Sequence, residues 1–148
     1  ALLAAEAGEE KEKDPGFLKG RRIMLVEDNE LNREIAYELL SESGLIVDVA
    51  ENGQEAIKLL GIRPENYYEL IFMDIQMPVM NGYEATANIR AGESDYWKTI
   101  PVIAMTANVF QEDESRAAEC GMSDYVTKPI DMNVIYSVLE KWLRGQKG

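Results

Sequence analysis

Histidine is absent from this 148-residue chain, cysteine occurs once, and no apolar run approaches the length of a membrane span. Each absence excludes something. Without histidine there is no His-activated nucleophile, no His-bearing zinc site and no phosphohistidine formed on the chain itself. One thiol, Cys120, rules out an internal disulfide and fits a reducing compartment; it reads as packing, not chemistry. No basic-apolar-small stretch marks a signal peptide. Basic residues are scarce too, 15 against 27 acids, for a net charge of -12. Such a field repels phosphate backbones and argues against nucleic-acid binding. What remains for chemistry is carboxylates, hydroxyls and lysine.

Apolar residues make up 46% and charged residues 28%, the balance of one water-soluble globular domain. Residues 1–20, rich in Ala, Glu and Lys and broken at Pro15-Gly16, read as a linker or extension outside the core, with the domain at 21–148. The chain opens on Ala, which reads as a piece of a longer protein. From residue 21 short apolar runs alternate with helical stripes. "RIMLV" precedes a helix carrying Leu31, Ile35, Ala36, Leu39 and Leu40. "LIVDVA" precedes one with Ala56, Ile57 and Leu60. "LIFMD", "IPVIAMT" and "DYVT" follow, each with its own helix, the last bearing Val134, Ile135, Val138, Leu139, Trp142 and Leu143. Five strand–helix alternations predict a parallel sheet covered on both faces, a doubly wound α/β fold whose helical stripes are core.

In such sheets the ligand sits at the carboxyl ends of the strands. There the sequence places Glu27 and Asp28, then Asp74, then Thr106, then Lys128. Two ionised carboxylates about 5 Å apart repel by about 3 kcal/mol at an effective dielectric near 20, so three together need a cation. An all-oxygen donor set favours a hard ion, and few protein ligands favour Mg²⁺ over Ca²⁺. Asp74 is ionised at neutral pH and attacks without a general base, which suits phosphoryl transfer. Thr106 and Lys128 would hold the remaining phosphoryl oxygens. Met77, Met80 and Met105 read as packing. Tyr96 and Trp97 read either as a contact patch or as loop anchors.

The segments "MLVEDNELNREIA", "LIFMDIQMPVMNGYEAT", "IPVIAMTAN" and "DYVTKPI" closely resemble the receiver domain of two-component signalling systems, over about residues 22–143. The resemblance implies a flavodoxin-like fold of five parallel strands in the order 2-1-3-4-5. It implies that Asp74 takes a phosphoryl group from a partner's phosphohistidine. Asp28 would ligate Mg²⁺ directly, Glu27 largely through water, and Gln76 through its backbone carbonyl. Thr106 matches the switch hydroxyl, Tyr125 the aromatic switch, and Lys128, before a peptide usually cis in the family, the lysine. Gln76 and Asn108 fall where the family tunes phosphoryl lifetime.

The wording is most like receivers joined to a sensor histidine kinase. The expected partners are therefore a histidine kinase domain or a histidine phosphotransfer protein, docking on the first helix near Asn32 and Ile35. The expected place is the cytoplasm, whether or not the parent protein is membrane-anchored, with no membrane contact by this segment. Independent turnover is not expected beyond self-phosphorylation and autodephosphorylation. Alternatives are a free-standing single-domain response regulator or a phosphorylation-independent interaction module. A haloacid-dehalogenase-like phosphatase is disfavoured, because Gln76 stands where its general acid belongs.

Overall fold

The computed structural model describes residues 16–77, 79–107 and 114–144. The elements are β1 (Arg22–Val26), α1 (Glu30–Glu42), β2 (Ile46–Ala50), α2 (Gly53–Ile62), β3 (Leu70–Asp74), α3 (Gly82–Arg90), α4 (Asp95–Thr99), β4 (Val102–Thr106), α5 (Glu114–Cys120), β5 (Asp124–Thr127) and α6 (Met132–Leu139), which runs on into a π turn, Glu140–Arg144. All four strand pairings are parallel, in the order β2-β1-β3-β4-β5. This is the 2-1-3-4-5 arrangement that the sequence predicts. Among the described residues no helix is long and apolar enough to cross a membrane.

Local chemistry sets the boundaries. Asn29, Asn52 and Asn81 cap α1, α2 and α3, each side chain accepting from a backbone N–H three residues on. At Asn81 the bond is reciprocated by Glu84, a complete capping box. Strand side chains alternate between two cores. Ile23, Leu25, Leu70, Phe72, Ile103 and Met105 face the layer of α1 and α6. Met24, Val26, Ile71, Met73 and Val102 face that of α2 and α3.

Register does the positioning. Val26 is level with Met73, Asp74 with Met105, and Thr106 with Thr127. The residues that leave the strands therefore emerge at one rim.

Three expectations need correction. The segment read as a linker reaches the core: Phe17 and Leu18 are buried in the α1/α6 layer. The Phe17 ring meets Tyr136 of α6 edge-on at 6.0 Å, the Arg21 guanidinium lies 4.5 Å from that ring, and Arg21 Nε donates to the Phe17 carbonyl. Gly20, at φ +81°, donates to the Gly44 carbonyl and turns the chain into β1. Residues 1–15 lie outside the described residues. Second, the α1 stripe is not all core. Ala36 and Leu40 are buried, but Leu31 and Ile35 are 64% and 51% exposed, because they lie on the flank turned away from the sheet. Third, the sheet is not covered throughout: Ile46 and Val49 are exposed on β2, the edge strand of the predicted order.

Tyr96 and Trp97 occupy the extra short helix α4 and serve as anchors. The Tyr96 hydroxyl accepts from the Tyr68 N–H and donates to the Tyr68 carbonyl, and both rings pack on the α2/α3 core. Met77 and Met105 are buried and Met80 half-buried, as packing requires. Cys120 is half-buried, and burial pushes its thiol pKa up, away from reactivity.

Candidate functional site

At the carboxyl rim of the sheet, Glu27 and Asp74 are almost fully buried, at 2% and 3% exposure. Strand alternation sets both on the side of Leu25 and Phe72. Asp28 is exposed beside them. One carboxylate oxygen from each of the three lies within 4.8 Å of the others. Lys128, delivered by the turn after β5, puts its Nζ 2.8 Å from Glu27 Oε1 and 3.0 Å from Asp74 Oδ1. The Lys128–Pro129 peptide is cis, and the Lys128 N–H donates to the Thr106 carbonyl at 2.8 Å.

One ammonium between two buried carboxylates leaves the site electrically over-acidic. Burial, then the neighbouring Glu27, push the Asp74 carboxyl up to about 7, and Lys128 only partly offsets them. For Lys128, burial pulls downward, but Glu27 and Asp74 outweigh it and raise the ammonium above its ordinary value. The donor set is oxygen alone, rim-facing and deficient in positive charge, which fits a hard divalent cation.

The other residues predicted for the site gather around this centre. Thr106 is buried at 3% exposure one step past the level of Asp74. Gln76 is exposed two residues beyond Asp74. Tyr125 is half-buried on β5 and packs on the small cluster of Ile75, Tyr83 and Ala104. Asn108 lies outside the described residues.

Sequence reading missed Arg33. Its Nη1 donates to the Glu27 carbonyl at 3.0 Å and, in a longer contact, to the Asp28 carbonyl at 3.4 Å; Nη2 lies 3.7 Å from Glu51 Oε2. The Asn29 N–H meanwhile donates to Glu27 Oε2 at 3.1 Å. The turn carrying both acids is thus tied from behind. Gly82 completes the rim: its N–H donates to the Ile75 carbonyl at 2.8 Å, and a Cβ there would lie 2.8 Å from Ile75 Cα and closer still to the Asp74 carbonyl.

Comparison with known proteins shows the family and the fold. The sequence pattern of the response regulator receiver domain matches residues 23–140. Hybrid signal transduction histidine kinase L of Dictyostelium discoideum is 35% identical over 143 residues, which are 96% of this chain but 8% of that protein. This chain thus spans a small part of such a relative. Among solved structures, the receiver domain of a Pseudomonas aeruginosa sensor histidine kinase, with magnesium coordinated in its active-site cleft, is 34% identical (TM-score 0.74; 83% of this chain and 97% of that one). A Saccharomyces cerevisiae co-crystal of the phosphotransfer protein Ypd1 with the receiver domain of Ssk1 matches at 31% identity (TM-score 0.75; 87% and 92%).

Proposed function

This chain belongs to the response regulator receiver family, and on that premise we propose that Asp74 accepts a phosphoryl group from a partner's phosphohistidine. The observation that carries this is the bridging of the buried Glu27 and Asp74 by Lys128 beside exposed Asp28. An Asp74 oxygen forms the new P–O bond as the donor's P–N bond breaks. Being a carboxylate, it needs no base once cationic charge keeps it ionised. Lys128 stabilises charge on the transferred group's equatorial oxygens, and the Thr106 hydroxyl takes another of them. Asp28, Asp74, the Gln76 carbonyl and, through water, Glu27 would hold Mg²⁺, which supplies charge neutralisation when bound. Movement of Thr106 toward the phosphoryl group frees space that Tyr125 fills, shifting the surface of α5, β5 and α6. The domain begins near residue 21, preceded by the anchor at Phe17 and Leu18.

The reading extends to context. The chain is the receiver portion of a longer histidine kinase, acting in the cytoplasm whether or not the rest is membrane-anchored. It turns over nothing independently beyond gaining and losing its own phosphoryl group. A histidine kinase domain or a histidine phosphotransfer protein docks on α1, where Leu31 and Ile35 offer exposed apolar surface on the rim side. Val79, 74% exposed, is a further apolar side chain in the loop after Asp74.

Intact mass after incubation with acetyl phosphate, with and without Mg²⁺, tests the centre of this reading. One phosphoryl group that requires both Mg²⁺ and Asp74, and is lost in Asp74→Asn, is the expected result. No adduct, even with beryllofluoride as the trapping analogue, would make the chain a phosphorylation-independent interaction module.

A further inference from the structure

We propose that Arg33 is a positioning residue for the divalent-cation site, acting on the backbone of the acidic turn and not on the cation. The inference rests on reading Glu27, Asp28 and Asp74 as the cation's ligands. Asp28 is exposed and belongs to no regular element, so nothing in the sheet fixes its carboxylate. Two ties do. The Glu27 N–H donates to the Ala50 carbonyl at 3.1 Å, which holds the start of the turn to β2. Arg33 holds the rest, with Nη1 on the carbonyls of Glu27 and Asp28 and Nη2 toward Glu51. Its own N–H donates to the Asn29 carbonyl at 2.8 Å in the first turn of α1, so the fork is fixed to the helix that follows the acids. The side chain is only 16% exposed, unlike a solvated surface arginine.

Arginine suits this task because its planar fork spans several acceptors at once, which an ammonium does not. The role has a sign that distinguishes it from a charge effect. A guanidinium beside a cation site repels the cation, so charge alone predicts tighter Mg²⁺ binding once Arg33 is removed. Positioning predicts weaker binding, because a loosened turn must be ordered each time the ion binds.

The test is titration of the metal-free chain with Mg²⁺, followed by amide NMR shifts at rim residues, on wild type, Arg33→Ala, Arg33→Lys and Glu51→Gln, with thermal melts on each. Arg33→Ala is expected to weaken Mg²⁺ binding about tenfold, the low end of what outer-layer supports of a metal site contribute. Arg33→Lys should recover little, and Glu51→Gln should weaken binding less than Arg33→Ala does. Unchanged or tighter binding in Arg33→Ala, or full recovery in Arg33→Lys, overturns the proposal while leaving the receiver reading intact. Should Arg33→Ala not fold, Arg33→Lys decides: weakened binding supports the role and wild-type binding overturns it. Failure of the wild type to bind Mg²⁺ overturns the metal reading itself, and this proposal with it.

Discussion

Lys128 Nζ lies 3.0 Å from Asp74 Oδ1 while also touching Glu27, so one ammonium is shared between both buried acids of the rim. Its removal leaves two carboxylates buried without a cationic partner, which is costly in a way that exposed pairs are not. Lys128→Gln is expected to lower stability by about 2 kcal/mol at neutral pH and by less at pH 5, where protonation relieves the repulsion. Urea unfolding at the two pH values checks this. The same variant should lose phosphorylation by acetyl phosphate.

Asp74 makes the metal-free chain sensitive to pH in a defined direction. An ordinary aspartate titrates at about 3.9, whereas burial and Glu27 push this one up to about 7. Between those values the folded chain holds a proton that the unfolded chain has released. That contribution to stability is complete below the lower value and is lost as pH rises through the upper one. In EDTA the wild type should therefore lose stability between pH 5 and 8, by on the order of 2 kcal/mol, and Asp74→Asn should lack that component. Added Mg²⁺ should abolish the wild-type loss. A wild type and Asp74→Asn with parallel pH profiles would contradict the electrostatic account of the site.

Phe17 anchors the segment ahead of residue 21 to the core. Phe17→Ala removes a ring packed on Tyr136 and Arg21 and should cost about 3 kcal/mol, seen as a shifted urea midpoint. A chain starting at Arg21 should be destabilised comparably.

Gly82→Ala should cost at least about 2 kcal/mol, since the added methyl meets backbone and not a movable side chain. Gly61→Ala is the control: a Cβ there meets nothing within 4 Å, and its melt should match or exceed the wild type.

The sheet and the rim acids were legible because each rests on a short-range signal. Short apolar runs, helical stripes and an acid at a strand end are all local, and parallel register then brings Glu27, Asp74 and Lys128 together. What escaped depends on tertiary contact. Arg33 sits among Asn32 and Glu34 and reads as solvated helix surface; only the folded turn brings Glu27 and Asp28 carbonyls to it. Phe17 and Leu18 are two apolar residues after a Pro-Gly break, too few for any periodicity, and their partner Tyr136 is at the other end of the domain. Five-residue α4 was too short to show a stripe, although Ser94 capping the Trp97 N–H was a usable start signal. Leu31 and Ile35 were assigned to the core because a helical stripe wider than its seat looks the same in one dimension.

The bond from Gly82 to Ile75 and the methyl-free contact beneath it carry a consequence for variation among related chains. Helix α3 abuts the strand that bears Asp74 with no slack, so the segment between Ile75 and Gly82 has both ends pinned. Its exposed side chains, Gln76 and Val79, are free to diverge, whereas Met77 and Met80 are held by the core and Asn81 by its capping box. Its length is not free to change. An inserted or deleted residue there would have to be absorbed by moving Asp74 or by unseating α3. Exposed positions of this loop can therefore change by substitution, while its number of residues stays fixed.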